Sequence, residues 1–147
     1  LGTYKRRWKF DYMTRQEKTR KRNTRFSSWI RNNLPDSKTG FIVFDVDFIF
    51  SNYKTKKIMI IEEKINNGEV SFGQKLFLER LDVIFQNGCK HIGYEYLGYY
   101  TIVFENDSFD NGSTYIIQNK VSDKKHLITE NEFIKFINQN LQNDTNN

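Results

Sequence analysis

The alternation of apolar and polar residues over positions 41–65 predicts two β-strands joined by a short polar turn. Ile, Val and Phe dominate both arms, whereas residues 51–57 between them hold most of the polar side chains. Successive side chains of a strand point to opposite faces, so Asp45 and Asp47 share one face of the first arm. The other face is wholly apolar and is predicted to be core; it consists of Ile42, Phe44, Val46, Phe48 and Phe50.

The acids of the two predicted strands are expected to face one another. A hairpin folded about Lys54-Thr55 places Asp47 directly opposite Glu62, because both are equally far from the turn. Opposed residues of an antiparallel pair lie about 4.5–5.5 Å apart at Cβ, where two carboxylates repel each other unless a cation lies between them. Mg²⁺ is commonly bound by one or two carboxylates together with water and phosphate. Asp45 remains an alternative ligand, but the register favours Asp47.

An aspartate on one strand, fourteen further residues and then Glu62-Glu63-Lys64 on the next strand resemble the PD-(D/E)xK nuclease superfamily. Val46 stands where the proline of that motif would be. The resemblance implies that Asp47 and Glu62 bind Mg²⁺ or Mn²⁺, that Glu63 adds its backbone carbonyl, and that Lys64 serves the attacking water. It also implies an α/β protein with a restriction-endonuclease-like core, in which helices flank a central mixed β-sheet.

Two further residues follow from the resemblance. Some members of the superfamily carry an additional metal-binding glutamate on a helix before the first core strand, and Glu17 is the only glutamate among the first sixty-one residues. Glu17 also completes a capping box that begins at Thr14, which explains it without a metal. Several branches carry a glutamine in the helix after the catalytic strand, and Gln74 is its counterpart here. That helix is predicted over residues 71–87, with Gly88 as its C-terminal stop.

The remaining elements follow from spacing and turn signals. Phe26, Trp29, Ile30 and Leu34 recur at helical spacing before Pro35 ends the helix. Residues 91–105 are predicted to form a second hairpin about Leu97-Gly98, and residues 114–118 a short strand. A second capping box at positions 129–132 opens a C-terminal helix. The chain is interpreted as one nuclease-like domain over 1–147, with a basic helical segment (1–38), a catalytic core (41–105) and the C-terminal helix (129–142).

Positive charge is concentrated at the beginning of the chain. The net charge is +5, yet residues 1–38 hold twelve Lys and Arg against three Asp and Glu, whereas residues 39–147 hold eleven against fifteen. An anionic polymer is the natural partner of such a segment, so we expect nucleic acid, with DNA favoured. The predicted nucleic-acid-binding residues are Arg15, Lys18, Arg20, Lys21, Arg22 and Arg25.

Composition excludes several classes of protein. Cys89 is the only cysteine, which excludes a disulfide framework and a cysteine zinc site and favours a reducing compartment. No apolar run reaches the ~18–20 residues of a membrane span. We therefore expect a cytoplasmic protein without a membrane partner.

The sequence thus predicts a metal-dependent phosphodiester hydrolase, with a DNA endonuclease as the favoured form. An RNA nuclease with the same site is one alternative, since the motif does not distinguish ribose from deoxyribose. A nucleic-acid-binding protein without catalysis, in which the carboxylates are structural, is the other. A domain of this size would cut both strands of a duplex as a homodimer or in two visits.

Overall fold

The computed structural model describes residues 25–119 and 124–143. The chain divides into two compact units, one that ends at Val43 and one that begins at Phe44. Among the described residues, no helix has both the length and the apolar character needed to cross a bilayer.

In the first unit, helix α1 spans Arg25–Asn33. It confirms the helix predicted from the spacing of the apolar residues, and it ends before Pro35. Phe26 and Trp29 stack on its surface with their ring centroids 5.9 Å apart. A short 3-10 turn follows at Ser37–Thr39.

Over its described residues, the second unit is a mixed five-stranded sheet with two helices, and its strands lie side by side in chain order. Strand β2 pairs with β3 in parallel, while every other neighbouring pair is antiparallel. The predicted α/β class with a mixed sheet is therefore confirmed. The elements are β1 (Phe48–Asn52), β2 (Lys57–Lys64), α2 (Phe72–His91), β3 (Glu95–Phe104), β4 (Thr114–Gln118), β5 (His126–Leu127) and α3 (Glu130–Leu141).

Each face of the sheet packs against one helix. On the α2 face, Ile60 of β2 and Tyr99 of β3 are buried with Leu78 of α2. The α3 face holds the larger cluster, which consists of Met59, Ile61, Tyr100, Ile102, Phe104 and Leu141. Parallel strands need a crossover connection, and α2 supplies it between β2 and β3. The two faces of β2 are thus covered by different helices, and its side chains must alternate between two cores.

The predicted first strand begins later than the sequence indicated. Strand β1 starts at Phe48, so Asp45 and Asp47 precede it rather than lie within it. Contrary to the prediction, Ile42 and Phe48 are exposed. Val46 packs against the α2-face cluster and Phe50 against the α3-face cluster, although strict alternation would place them on one face. The chain ahead of Phe48 therefore departs from regular strand geometry, and its apolar residues do not form one core face.

Helix α2 continues past the glycine that was predicted to stop it. Gly88 lies inside the helix, and Cys89 beyond it is buried. The helix ends at His91, and Gly93 then takes a left-handed backbone with φ of +75°. Since a single glycine costs a helix interior only about 1 kcal/mol, burial of the following turn outweighs it.

Strand β3 is a single strand where a second hairpin was predicted. The pairing steps from Ile58↔Tyr96 to Ile60↔Tyr99, so β3 contains one residue more than β2 at this point. Gly98, with φ of +95°, accommodates that irregularity. The Leu97-Gly98 pair therefore makes a bulge in a continuous strand and not a turn between two strands.

Exchange of each of these two glycines for alanine should have opposite effects on stability. A Cβ atom at Gly88 or Gly98 would meet nothing within 4 Å, so only the backbone conformation differs between them. Gly88→Ala is expected to stabilise the protein by about 0.5–1 kcal/mol, because alanine loses less backbone entropy in a helix. Gly98→Ala should destabilise it by about 1–2 kcal/mol because of its positive φ. Urea unfolding of both variants measures the difference, and equal effects would contradict this assignment.

The turn of the β1–β2 hairpin holds the C-terminal end of α3. The Thr55 hydroxyl donates to the carbonyl of Leu141 at 2.6 Å, and the ammonium of Lys57 donates to the carbonyl of Asn143 at 2.5 Å. The last carbonyls of a helix have no partner within the helix, and a cation is favourable at this end of its dipole. The Thr55 bond thereby holds the last turn of α3, and the buried Lys57 ties the residues directly after α3 to the strand that leads to the candidate site.

Candidate functional site

The site lies at the C-terminal end of β2, on the face that α2 covers. Ile60 belongs to the α2-face core, and alternation places Glu62 and Lys64 on the same face. The side chain of Glu62 is 0% exposed, and that of Lys64 is 18% exposed. The apolar cover that buries Ile60 therefore extends over a carboxylate, which needs partners to stay charged there.

Asp47 approaches this end of β2 from the neighbouring chain segment. The observed pairs Phe48↔Ile61 and Ile49↔Ile60 confirm the predicted register, and one further step sets Asp47 opposite Glu62. The Oδ2 atom of Asp47 accepts a hydrogen bond from the backbone N–H of Glu63 at 2.8 Å. The Asp47 carboxylate thus lies against the β2 backbone beside Glu62, although Asp47 is outside the strand.

Glu62, Lys64 and Gln74 form a closed ring of hydrogen bonds. The Nζ atom of Lys64 donates to Glu62 Oε1 at 2.7 Å and to Gln74 Oε1 at 3.0 Å. The Nε2 atom of Gln74 completes the ring by donating to the same Glu62 Oε1. Each side chain is held by the other two, so the ring fixes one rotamer of Glu62 and one of Lys64.

The position of Gln74 follows from the way α2 begins. Ser71 is the N-cap, and its hydroxyl accepts the backbone N–H of Gln74 at 3.2 Å. Gln74 is therefore in the first helical turn, above the end of β2, and four residues later Leu78 anchors the helix in the core. Lys75 and Phe72, its neighbours in that turn, are exposed.

One oxygen of Glu62 is left over. While Oε1 accepts from two donors, Oε2 is buried and has no hydrogen-bond partner among residues 25–119 and 124–143. A buried acceptor without a donor costs about 1–3 kcal/mol, and more when it carries charge. This atom therefore marks the point of the site at which a cation or a donor would be most stabilising.

The residues present fit a hard divalent cation. Within the described ranges, no group of three or more His, Cys, Asp and Glu side chains could hold a metal. Mg²⁺ does not require such a group, because it commonly takes one or two carboxylates and fills its other positions with water and phosphate. Asp47 and Glu62 supply two carboxylates, and the Glu63 carbonyl is the predicted third oxygen. These donors would suit Mg²⁺ or Mn²⁺ and not a thiophilic metal.

Of the other predicted residues, the structure describes Asp45 and Arg25. Asp45 precedes Asp47 and is exposed. Arg25 lies at the start of α1 in the first unit. The remaining candidates fall outside the described residues; they are Glu17, Arg15, Lys18, Arg20, Lys21 and Arg22.

Sequence reasoning missed two polar residues on the same face. Thr101 of β3 is the register partner of Glu62, and its hydroxyl accepts a hydrogen bond from Asn119 Nδ2 at 3.0 Å. Thr101 is the single polar residue within the otherwise apolar or aromatic run of residues 99–104, which is the signal that could have drawn attention to it. Asn119 follows β4 and carries no such signal.

Neither the half-buried Tyr96 nor the buried Cys89 supplies a nucleophile. Burial raises the pKa of the Tyr96 phenol, and its 2.8 Å hydrogen bond to Asp82 raises that pKa further. Burial likewise raises the pKa of the Cys89 thiol. Both side chains are therefore protonated at neutral pH and belong to the packing around α2.

Comparison of the chain with family models, with curated proteins and with solved structures found no match. The geometry at the end of β2 therefore has to support any functional proposal by itself.

Proposed function

We propose that this protein is a divalent-metal-dependent nuclease that hydrolyses phosphodiester bonds, with DNA as its substrate. The main support is the carboxylate of Glu62, which is wholly buried, paired on Oε1 with the Lys64 ammonium and hydrogen-bonded there by Gln74, and without a partner on Oε2 within the described residues. Buried polar groups that are only partly satisfied are costly, and they persist chiefly at functional sites. The proposal extends to the fold, with the mixed sheet as a restriction-endonuclease-like core.

The residues of the ring have distinct roles in this proposal. Asp47 and Glu62 hold the cation, which when bound supplies Lewis-acid stabilisation of phosphate charge and lowers the pKa of a bound water. Lys64, at 2.7 Å from Glu62, presents an ammonium beside the same position and stabilises the negative charge that develops on the phosphate. Before substrate enters, Gln74 holds that ammonium through its 3.0 Å hydrogen bond.

Access of a phosphate to this site requires the ring to open. The side chain of Lys64 is 18% exposed and that of Glu62 is 0% exposed, so Lys64 can swing outward while Glu62 stays in place. Lysine has four flexible methylene groups, and such a movement breaks a partly buried ion pair and one hydrogen bond, so the buried Glu62 carboxylate then needs the cation as its partner. The ammonium would then leave Glu62 to the cation and turn to the substrate.

A nucleic-acid-binding protein without catalysis is the second candidate, and one observation favours it. Lys64 supplies a positive charge for Glu62 from within the chain, so the ring could be a purely structural ion pair. The basic residues 1–38 would then provide binding without hydrolysis.

Cleavage assays on the full chain separate these candidates. We expect Mg²⁺- or Mn²⁺-dependent cleavage of DNA, absent in EDTA, and an at least about 100-fold lower rate for Lys64→Met, which keeps the aliphatic stem but removes the ammonium. Lys135→Ala is the matched control, because Lys135 is an exposed lysine on α3, which packs on the other face of the sheet. Single- and double-stranded DNA and RNA are tested in parallel, and circular DNA distinguishes an endonuclease from an exonuclease.

Each result of these assays supports one candidate function over the others. Cleavage of RNA alone would keep the site and replace the substrate. Nucleic-acid binding that is indifferent to metal, with no cleavage of any substrate, would refute the nuclease proposal and support the binding protein.

A further inference from the structure

The polar pair Thr101 and Asn119 extends the site across the sheet. Thr101 is 2% exposed, and it lies on β3 directly beside Glu62 of β2. Asn119 Nδ2 donates to the Thr101 hydroxyl at 3.0 Å, and its backbone N–H donates to the carbonyl of Tyr99 at 3.2 Å. Asn119 is thus held through both its backbone and its side chain, and its side-chain amide fixes the hydroxyl oxygen of Thr101 from one side.

Within the described residues, the hydrogen of the Thr101 hydroxyl has no acceptor, so it can be donated to another group. A hydroxyl has one donor hydrogen and two acceptor lone pairs, and Asn119 uses one of the lone pairs. Register partners in neighbouring strands point to the same face, so Thr101 and Glu62 project side by side toward α2. Glu62 Oε2 is a buried acceptor that lacks a donor among the described residues. A donor hydrogen and an orphaned acceptor therefore belong to adjacent side chains on one face.

The two groups make no direct hydrogen bond, since Oε2 accepts none. One water molecule would connect them, because it can accept a hydrogen bond from the Thr101 hydroxyl and donate one to Glu62 Oε2.

We infer that Thr101 is a positioning residue for Glu62, acting through one bridging water, and that Asn119 holds Thr101 in the required rotamer. This inference rests on the proposed metal-dependent function. The bridge orients the Oε2 atom while Lys64 and Gln74 orient the Oε1 atom. With both oxygens held in place, the carboxylate is already oriented for the cation, and little conformational entropy is lost when the cation binds.

The test is the affinity of the full chain for Mn²⁺, measured by titration calorimetry and by the loss of the free Mn²⁺ electron paramagnetic resonance signal. Thr101→Val keeps the shape and removes the hydroxyl, and it should weaken Mn²⁺ binding about 10–100-fold. Thr101→Ser retains the hydroxyl and should bind within about 3-fold of the wild type. Asn119→Ala is expected to weaken binding less than Thr101→Val does, by about 3–10-fold.

Thr114→Val is the matched control. Thr114 is also a buried threonine with an unpartnered hydroxyl among the described residues, but it pairs with Phe104 and so lies on the α3 face of the sheet. Its Mn²⁺ affinity should equal that of the wild type. Thermal unfolding shows whether each variant is folded. If Thr101→Val does not fold, the Mn²⁺ affinity of Asn119→Ala tests the inference instead.

The failures can be told apart. Wild-type protein that binds no Mn²⁺ would overturn both the proposed metal site and this inference. Normal binding in the wild type together with unchanged affinity in Thr101→Val and Asn119→Ala would overturn the inference alone. A loss in Thr101→Val that Thr101→Ser does not restore would show that packing, and not the hydroxyl, is responsible.

Discussion

Glu62→Gln is expected to lower metal-dependent cleavage by about 10³-fold or more, which corresponds to about 4 kcal/mol in the activation barrier. The substitution keeps the size of the side chain but removes the charge that would bind the cation. Glutamine can still accept from Lys64 and Gln74 through its amide oxygen, so the ring of hydrogen bonds persists. Single-turnover cleavage at saturating Mg²⁺ and the Mn²⁺ affinity are the two measurements.

The Glu62→Gln substitution should leave the free energy of unfolding almost unchanged or raise it slightly. Glu62 is a wholly buried carboxylate, and removal of a buried charge relieves a desolvation cost. The loss of the ion pair to Lys64 offsets that gain, so we expect a change of no more than about 1 kcal/mol in the free energy of unfolding. Glu69→Gln, at an exposed position, is the control and should leave cleavage and stability unchanged. A Glu62→Gln variant that is severely destabilised would indicate that the ion pair is structural.

Leu78→Ala should produce the largest loss of stability, about 3 kcal/mol within the range of about 2–5 kcal/mol seen for buried leucines. Leu78 is 1% exposed and packs with Ile60 and Tyr99, where it joins α2 to the two parallel strands. Truncation leaves a cavity in this junction, and the surrounding strands cannot move to fill it. Urea unfolding gives the free energy, and Leu76→Ala serves as the control on the same helix.

The contrast with Leu76 also tests how α2 supports the site. Leu76 is 40% exposed, so Leu76→Ala should cost less than about 1 kcal/mol. Gln74 is one turn ahead of Leu78, and a loosened helix should weaken its contacts with Glu62 and Lys64. Cleavage by folded Leu78→Ala should therefore decrease while that by Leu76→Ala does not. Equal stability of the two variants would contradict the packing assigned to α2.

Local patterns predicted several elements correctly. The hairpin register followed from the polar turn about Lys54-Thr55, because equal distances from a turn fix which residues are opposed. The capping box at Thr129 opens α3 as predicted, with the Thr129 hydroxyl and the Glu132 carboxylate each accepting the backbone N–H of the other residue. Alternation also placed Glu62 and Lys64 on one face, where they form an ion pair.

Tertiary contacts decided the elements that local patterns missed. Gly88 and the Leu97-Gly98 pair are strong local stop signals. Gly88 nevertheless lies within a helix whose next turn is buried, and the Leu97-Gly98 pair lies within a strand that pairs with β2 both before and after it. The residues before Phe48 alternate as a strand should, yet the Asp47 side chain takes the N–H of Glu63 there. Each outcome depends on a partner that is distant in the sequence.

The site was predictable in part for the same reason. Its β2 residues follow from spacing within one strand. The contact of Gln74 with Glu62 requires α2 to cross back over the sheet, and the proximity of Thr101 requires parallel pairing of β2 with β3. Those placements are properties of the chain topology, which no local pattern expresses.

The contacts between the β1–β2 hairpin and the end of α3 impose an order on folding during synthesis. The bonds from Thr55 to Leu141 and from Lys57 to Asn143 each join residues 86 positions apart. During translation, β2 and β3 are therefore synthesised well before the residues that carry the acceptor carbonyls, Leu141 and Asn143. Until then the apolar residues opposite α3, Tyr100 and Ile61 among them, lack their helical cover. The nascent chain therefore exposes this apolar face of the sheet until α3 has been synthesised, and the strand that bears Glu62 and Lys64 is covered on both faces only after that point.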